Sequence, residues 1–229
     1  MVVKNFMKDL NGNGAEGELI KTVFISLATS FSLLAVLYFL GLKSINNFFP
    51  KYGFYLFFAV IGYALILPSI RHVRAYKEFA CMSGMMIGMT IGMISGFLPG
   101  FFIGATNGMF WGSAVGMTFG IFFGIENGKC CGIMGVMEGI MAGFMGGLMG
   151  AMTAIMMLND NLRAAAVLVF LVTAVILFGL NYMIYKETKD AEMERKHKDE
   201  ELFTISWSFM LTAVTAWFMV FGPRSILFQ

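Results

Sequence analysis

Methionine and cysteine are the residues of this sequence whose chemistry is most specific. Fifteen of the 21 methionines lie between residues 79 and 157, and the same stretch holds all three cysteines. The thioether of methionine and the thiolate of cysteine are soft ligands, which suit Cu(I) and, by the same chemistry, Ag(I). The residue types therefore point to soft-metal binding before any other chemistry.

The apolar stretch 130–157 carries a methionine stripe along one face of a predicted helix. On a wheel of about 100° per residue, these methionines fall within about 60° of one direction, and the glycines fall on the opposite side. At a rise of about 1.5 Å per residue the stripe covers about 33 Å, the thickness of a hydrocarbon core. A ladder of weak thioether sites would pass an ion along rather than trap it. The candidate ligands on this face are Met134, Met137, Met141, Met145, Met149 and Met152, and an earlier stretch adds Met85, Met89 and Met93.

The three cysteines are predicted to meet at one end of these helices. Cys81 begins one apolar stretch and Cys130 and Cys131 begin another, and the predicted topology places both starts at the cytoplasmic side. Thiolates at this mouth would form a tighter acceptor site for the ion, and a reducing compartment argues against structural disulfides. Glu138 shares the methionine face about two turns further on. It is a candidate for proton or cation coupling, unless it snorkels to the interface or bonds a nearby amide.

A second interpretation of the methionines stays open. Methionine is a flexible apolar residue that fills irregular gaps, and a helix with glycine on one face needs bulk on the other. On this interpretation the protein is a structural or accessory subunit of a membrane complex, or a permease for a non-metal substrate. Glycine and methionine would then serve helix packing only.

Glycine recurs at every fourth position from Gly84 to Gly132 without a gap. Such GxxxG spacing forms a ridge without side chains, a glycine zipper, along which membrane helices approach closely. Because glycine destabilises a solvated helix, the array makes sense only where helices pack tightly. The ridges could pack within one chain, between copies, or against a membrane-complex partner. The packing positions are Gly84, Gly88, Gly92, Gly112, Gly116, Gly120, Gly135, Gly139, Gly143 and Gly147.

The step from Met145 to Met149, beside Gly143 and Gly147, resembles the MxxxM and GxxxG pairing of the trimeric copper-uptake transporter family. The resemblance covers a few helical turns and implies Cu(I) chemistry. It does not extend to the architecture, because that family has three spans per chain and a methionine-rich outer tail. Here the polar N-terminal segment holds few methionines.

The composition requires a membrane setting for these motifs. The chain has 229 residues, of which 58% are hydrophobic and 13% charged, and its mean hydropathy is +0.76. These values exclude an ordinary soluble enzyme, a nucleic-acid binder and a disordered chain. We predict an all-α, polytopic integral membrane protein with about seven transmembrane helices in one domain, 22–222, whose core block is 79–157. The predicted spans are 22–42, 52–70, 79–104, 108–125, 130–157, 164–185 and 203–222.

Charge predicts the orientation in the bilayer. With the N-terminus inside, twelve Lys and Arg residues lie on the inner side and four on the outer side, which agrees with the positive-inside rule. We therefore expect a multi-pass plasma-membrane protein with a cytoplasmic segment 1–21 and a C-terminal tail, 223–229, outside. The charged segment 186–202 is predicted to continue the sixth helix into the cytoplasm.

Other chemistry finds little support in the sequence. There is no nucleotide-binding motif and no catalytic triad, so no enzymatic activity is expected. His72 and His197 are predicted to lie in loops, which argues against a bis-histidine haem or a histidine-based zinc path. Asn107, Glu126 and Asn127 are predicted to be ordinary turn residues.

Overall fold

The fold is all-helical, as predicted. A computed structural model describes residues 15–40, 52–76, 79–190 and 201–223, and these contain no β-strand. Most of the predicted C-terminal tail, of the polar N-terminal segment and of the charged segment lies outside the described residues. The helices are α1 (Ala15–Leu40), α2 (Phe54–Ala75), α3 (Cys81–Asn107), α4 (Met109–Gly128), α5 (Gly132–Met156), α6 (Leu162–Asp190) and α7 (Glu201–Phe221), with a 3₁₀ turn (Lys129–Cys131) between α4 and α5.

Several of these helices are long and apolar enough to cross a membrane, which indicates a membrane protein. Seven spans were predicted, and length and hydropathy support five in the described residues. The difference arises because the run that contains α4 and α5 counts as one stretch and because the apolar part of α7, Ile205–Phe221, is short. The five stretches are Leu19–Val36, Phe54–Ala75, Cys81–Asn107, Met109–Met156 and Leu162–Thr188.

Glycine occupies the centre of the unit formed by α3, α4 and α5. These three helices pack against each other more extensively than any other helices in the described chain. Their glycines meet in successive layers, each with one small residue from each helix. The layers are Gly88, Gly128 and Gly135; Gly92, Gly124 and Gly139; Gly96, Gly120 and Gly143; Gly100, Gly116 and Gly147; and Gly104, Gly112 and Ala151.

The layers leave no space for a side chain. A methyl group on Gly92 would lie 3.0 Å from both Gly124 Cα and Gly139 O. One on Gly116 would lie 2.9 Å from Gly147 Cα. Backbone atoms therefore fill the axis of the three-helix unit. The glycine ridges expected to serve packing within or between chains are covered by helices of the same chain.

Two glycines with positive φ allow the chain to reverse between these helices. Gly108 separates α3 from α4 with φ 107°, and Gly132, the first residue of α5, follows the 3₁₀ turn with φ 69°. Residues with a Cβ rarely adopt such angles. Together the two reversals give the up–down–up path that aligns the glycine ridges.

The other helices are joined by larger apolar side chains and by hydroxyl groups. α2 contributes fully buried residues such as Tyr63 and Ile66 to the core. Between α1 and α7, the buried Ser208 hydroxyl lies 2.6 Å from Ser30 Oγ and 3.3 Å from Ser26 Oγ. Hydrogen bonds of this kind hold helices together where no water competes.

Two asparagines that were predicted to be turn residues are buried instead. Asn107 is 1% exposed and Asn127 is 2% exposed. The Asn107 amide donates to the carbonyl of Phe218 at 2.5 Å, which ties the end of α3 to α7. Their predicted place at helix ends is confirmed. Their burial was not predicted, because sequence position does not show which neighbouring helix covers a helix end.

Replacement of Gly143 by alanine is expected to lower stability strongly. The added methyl group would overlap the backbone of Gly120 and Ile121, and overpacking of this kind costs about 1 to 3 kcal/mol. Gly179→Ala in α6 is the matched control, because nothing lies within 4 Å of that position and alanine favours helix. The melting temperature of each purified variant provides the comparison. An equal melting temperature for the two variants would contradict the glycine-layer packing.

Candidate metal site

The three thiols come together at one end of the three-helix unit. Cys81 is the first residue of α3, and Cys130 and Cys131 belong to the 3₁₀ turn that precedes α5. The Cys131 thiol donates to the carbonyl oxygen of Cys81 at 2.6 Å, and the two thiols are close enough to interact electrostatically. Residues about 50 positions apart in the sequence are thereby neighbours.

Gly84 makes this approach possible. A methyl group at Gly84 would lie 2.9 Å from the Sγ atoms of both Cys130 and Cys131. The two sulfur atoms therefore rest against bare backbone on the first turn of α3. The glycine ridge that packs the helices also opens the space that the thiols occupy.

All three cysteines are free thiols. Cys81 is exposed, whereas Cys130 and Cys131 are half-buried. The Cys130 thiol donates to the carbonyl of Asn127 at 3.3 Å. Cys81 is therefore the most accessible of the three.

As placed, the thiols are neighbours without being metal ligands. Among the described residues, no three His, Cys, Asp or Glu side chains are close enough together to hold a metal ion. Thioethers add to the sulfur atoms at this end, because Met82 follows Cys81 directly and Met85 lies one turn further along α3. The donor set at this end is therefore sulfur-rich, and a bound ion would require the thiols to turn toward one point.

The methionine stripe of α5 faces the surroundings of the chain. Its members are between 44% and 66% exposed, whereas the glycines on the other side of α5 are buried. The predicted division of this helix into a thioether face and a backbone face is present. The exposed residues are Met134, Met137, Met141, Met145, Met149, Met152 and Met156.

The methionines of α3 form a second outward stripe. Met82, Met86, Met89 and Met93 are exposed, and Met85 is half-buried beside the thiols. α3 and α5 are in direct contact, since a methyl group on Gly146 would lie 3.0 Å from Met93 Cα. Two methionine-bearing helices therefore lie side by side, and the thiols lie at one end of both.

Glu138 is exposed on the same outer side of α5 as the methionines. An ionisable residue within an apolar helix is costly unless it faces water, a partner or the interface. In this position the Glu138 side chain can contact lipid headgroups, water or a protein that packs on the methionine stripe.

Glu187 is a neighbour of the thiols that the sequence did not reveal. Its Oε1 accepts a hydrogen bond from the backbone N–H of Ala80 at 3.0 Å, at the start of α3. Its Oε2 is buried without a hydrogen-bond partner, and the carboxylate interacts electrostatically with Cys130. In the sequence Glu187 is one charge among many, and only the packing of α6 against α3 selects it.

His72 was predicted to lie in a loop, and that prediction was wrong. It lies in α2, is 2% exposed, and its Nδ1 is 3.3 Å from Asn181 Oδ1. The Asn181 amide also donates to Ser69 at 2.9 Å. Nearby arginines made this part of the chain resemble a loop, yet the helix continues through them. His197 lies outside the described residues.

Comparison with known proteins adds no assignment. No family model, no curated protein and no solved structure matches this chain. Any function must therefore be argued from the residues and their arrangement.

Mild oxidation is expected to join Cys81 to Cys131. In the Cys130→Ser variant these are the two remaining thiols, and their contact across α3 and the 3₁₀ turn favours disulfide formation. Mass spectrometry after proteolysis would detect the linked peptides. The Cys131→Ser variant, which keeps Cys81 and Cys130, is the control and should oxidise more slowly. Equal rates in both variants would count against the contact.

Proposed function

We propose that this protein is a membrane transporter or channel for a soft monovalent metal ion, with Cu(I) or Ag(I) as the cargo. The observation that carries the proposal is the position of the thiols. Three of them gather at one end of α3 and α5, the two helices whose outer faces carry methionine stripes. Thioethers then form the path and thiolates the exit.

The proposal includes a topology of seven spans with the N-terminus in the cytoplasm and a plasma-membrane location. The run from Met109 to Met156 folds back on itself, since Gly124 meets Gly139 and Gly128 meets Gly135. Its two helices have 20 and 25 residues, about 30 Å and 37 Å at the usual rise, so each is long enough to cross. The glycine layers act in this topology as a glycine zipper.

The ion path lies on the outside of the three-helix unit. Backbone fills the axis of that unit, and the methionines face away from it. The path is therefore completed by a second surface, and a second copy of this chain can supply one with the same thioethers. The copies associate through methionine faces, because the glycine faces are already covered within each chain.

Lipid exposure alone does not account for the methionines. The outer face of α6 is exposed to the same degree and consists of ordinary apolar residues, Val167, Leu168, Leu171, Val172, Val175 and Ile176. The outer faces of α5 and α6 are thus equally exposed but differ in residue type. The difference favours a specific contact, to an ion or a partner, on α3 and α5.

The chemistry assigns distinct roles to the residues. Neighbouring methionines on α5 are three or four residues apart, about 4.5 to 6 Å along the axis, so an ion can pass between sites without losing all its sulfur ligands. Thioethers are neutral and bind weakly, whereas thiolates bind Cu(I) more tightly and collect it at the cytoplasmic mouth. Glu138 offers negative charge near that mouth, for cation attraction or proton coupling.

The second candidate function is a structural or accessory subunit of a membrane complex, or a permease for a non-metal substrate. The closed glycine axis favours it, because the described three-helix unit is packed as a rigid scaffold. In this case the methionine faces contact a partner protein through adaptable apolar side chains. Metal binding distinguishes the two functions.

Cu(I) binding is expected to require the thiols. The purified, reduced protein should compete with a Cu(I) chelator, and replacement of Cys81, Cys130 and Cys131 by serine should weaken its affinity by about 100-fold or more, equivalent to about 2.7 kcal/mol. The control is a variant with Met210→Leu, an exposed methionine of α7 away from the stripes. If the serine variant competes with the chelator as strongly as the native protein does, the thiols do not form the exit site.

Transport is expected to require the thioethers of α5. The double variant Met141→Leu and Met145→Leu keeps side-chain volume, a change that usually costs less than about 1.5 kcal/mol in stability, but removes two soft ligands. Ag(I) or Cu(I) flux into proteoliposomes should fall by about tenfold, equivalent to about 1.4 kcal/mol in the barrier. Met210→Leu should leave flux unchanged. Full flux in the double variant would favour the packing interpretation.

A further inference from the structure

A cavity lined by both apolar and polar side chains lies at the opposite end of α3 from the thiols. Its volume is about 440 Å³, within the range of about 300 to 1,000 Å³ typical of small-molecule sites. It is formed where α2 begins, α3 ends and the chain passes from α5 to α6. The lining includes Tyr52, Tyr55, Thr106, Asp160, Asn161 and Arg163. The proposed metal path makes no use of it.

The cavity lies at the depth where a lipid bilayer presents its headgroups. Tyr55 is on the first turn of α2, Thr106 is on the last turn of α3, and Arg163 is on the first turn of α6. All three helices contain apolar stretches long enough to cross a membrane. Their ends therefore meet at an interface, where tyrosine is favoured because its ring is apolar and its hydroxyl is polar.

Opposite charges line this cavity without pairing with each other. Arg163 and Asp160 both contribute to its wall. Within the part of the chain that the structure describes, neither forms an ion pair. Among the described residues, therefore, neither charge is neutralised by the other or by a neighbour.

The arginine side of the cavity suits a phosphate. The Arg163 guanidinium lies close enough to the Tyr55 phenol to interact with it electrostatically. Arginine binds phosphate oxygens with two parallel hydrogen bonds, and a phenol can donate a third. The Asp160 carboxylate, on the same wall, suits an ammonium group.

We propose that this cavity binds an aminophosphate, a phosphate that carries an ammonium group a few bonds away. Arg163 and Tyr55 hold the phosphate, and Asp160 holds the ammonium. A phosphatidylethanolamine headgroup and soluble phosphoethanolamine share this chemistry, and the experiment separates the two sources. The site is independent of the proposed metal transport.

Two arms test the proposal on the purified full-length protein. In the first, titration calorimetry measures binding of O-phosphoethanolamine, with inorganic phosphate and ethanolamine as probes that each carry one of the two groups. In the second, the protein is placed in phosphatidylcholine nanodiscs that contain either phosphatidylethanolamine or phosphatidylglycerol. Native mass spectrometry then measures which lipid the protein retains.

Matched variants assign the two charges. Arg163→Gln and Asp160→Asn should each weaken aminophosphate binding, or lipid retention, by about tenfold, and Arg163→Lys should restore part of it. Lys129→Gln removes an exposed charge at the opposite end of the bundle and should change nothing. Melting temperatures near that of the native chain establish that the variants fold.

The outcomes either support or overturn the aminophosphate site. Binding of soluble phosphoethanolamine that depends on both charges supports a soluble ligand. Selective retention of phosphatidylethanolamine that depends on both charges, without soluble binding, supports a headgroup site. Binding in neither arm overturns the proposal, as does binding that both variants leave intact. Binding that depends on Arg163 alone also overturns it, because the site would then be a simple anion site.

Discussion

Direct contact between backbones is the constraint on which the rest of this molecule depends. In α3, α4 and α5 the glycine ridges meet in layers where even a methyl group would overlap its neighbours. Contacts this close fix the register of the helices, because a shift of one residue would place a side chain between two backbones. The positions of all other side chains on these helices follow from that register.

The register has two chemical consequences. It excludes large side chains from the axis, so they lie on the other faces of α3 and α5. The exposed part of those faces is largely methionine, whereas the remaining large side chains of α3, such as Phe101 and Phe102, are buried in the core. It also brings the start of α3 to the 3₁₀ turn before α5, where Cys81 meets Cys131. In the proposed function the metal ion therefore contacts outer helix surfaces and helix ends, and its path does not run through the glycine axis.

The remaining helices are held together by a different kind of contact. α1, α2, α6 and α7 are held by large apolar side chains and by buried polar contacts, such as the Ser208 cluster and the pairing of His72 with Asn181. These contacts allow wider spacing between helices than the glycine layers do. The wider spacing leaves room for polar groups between helices and for the cavity beside Arg163.

The helical class, the membrane-compatible lengths and the division of α5 into a thioether face and a backbone face could be predicted from the amino-acid sequence. These properties depend on hydropathy and on the 3.6-residue period, which are local. The sequence did not reveal the buried state of His72 and Asn107, the proximity of Glu187 to Cys130, or the cavity lined by Asp160 and Arg163. Each of these features depends on contacts between residues of different helices, which a local sequence pattern does not contain. The sequence likewise left open whether the glycine ridges served one chain or several, and the packing of α3, α4 and α5 decided that they meet within one.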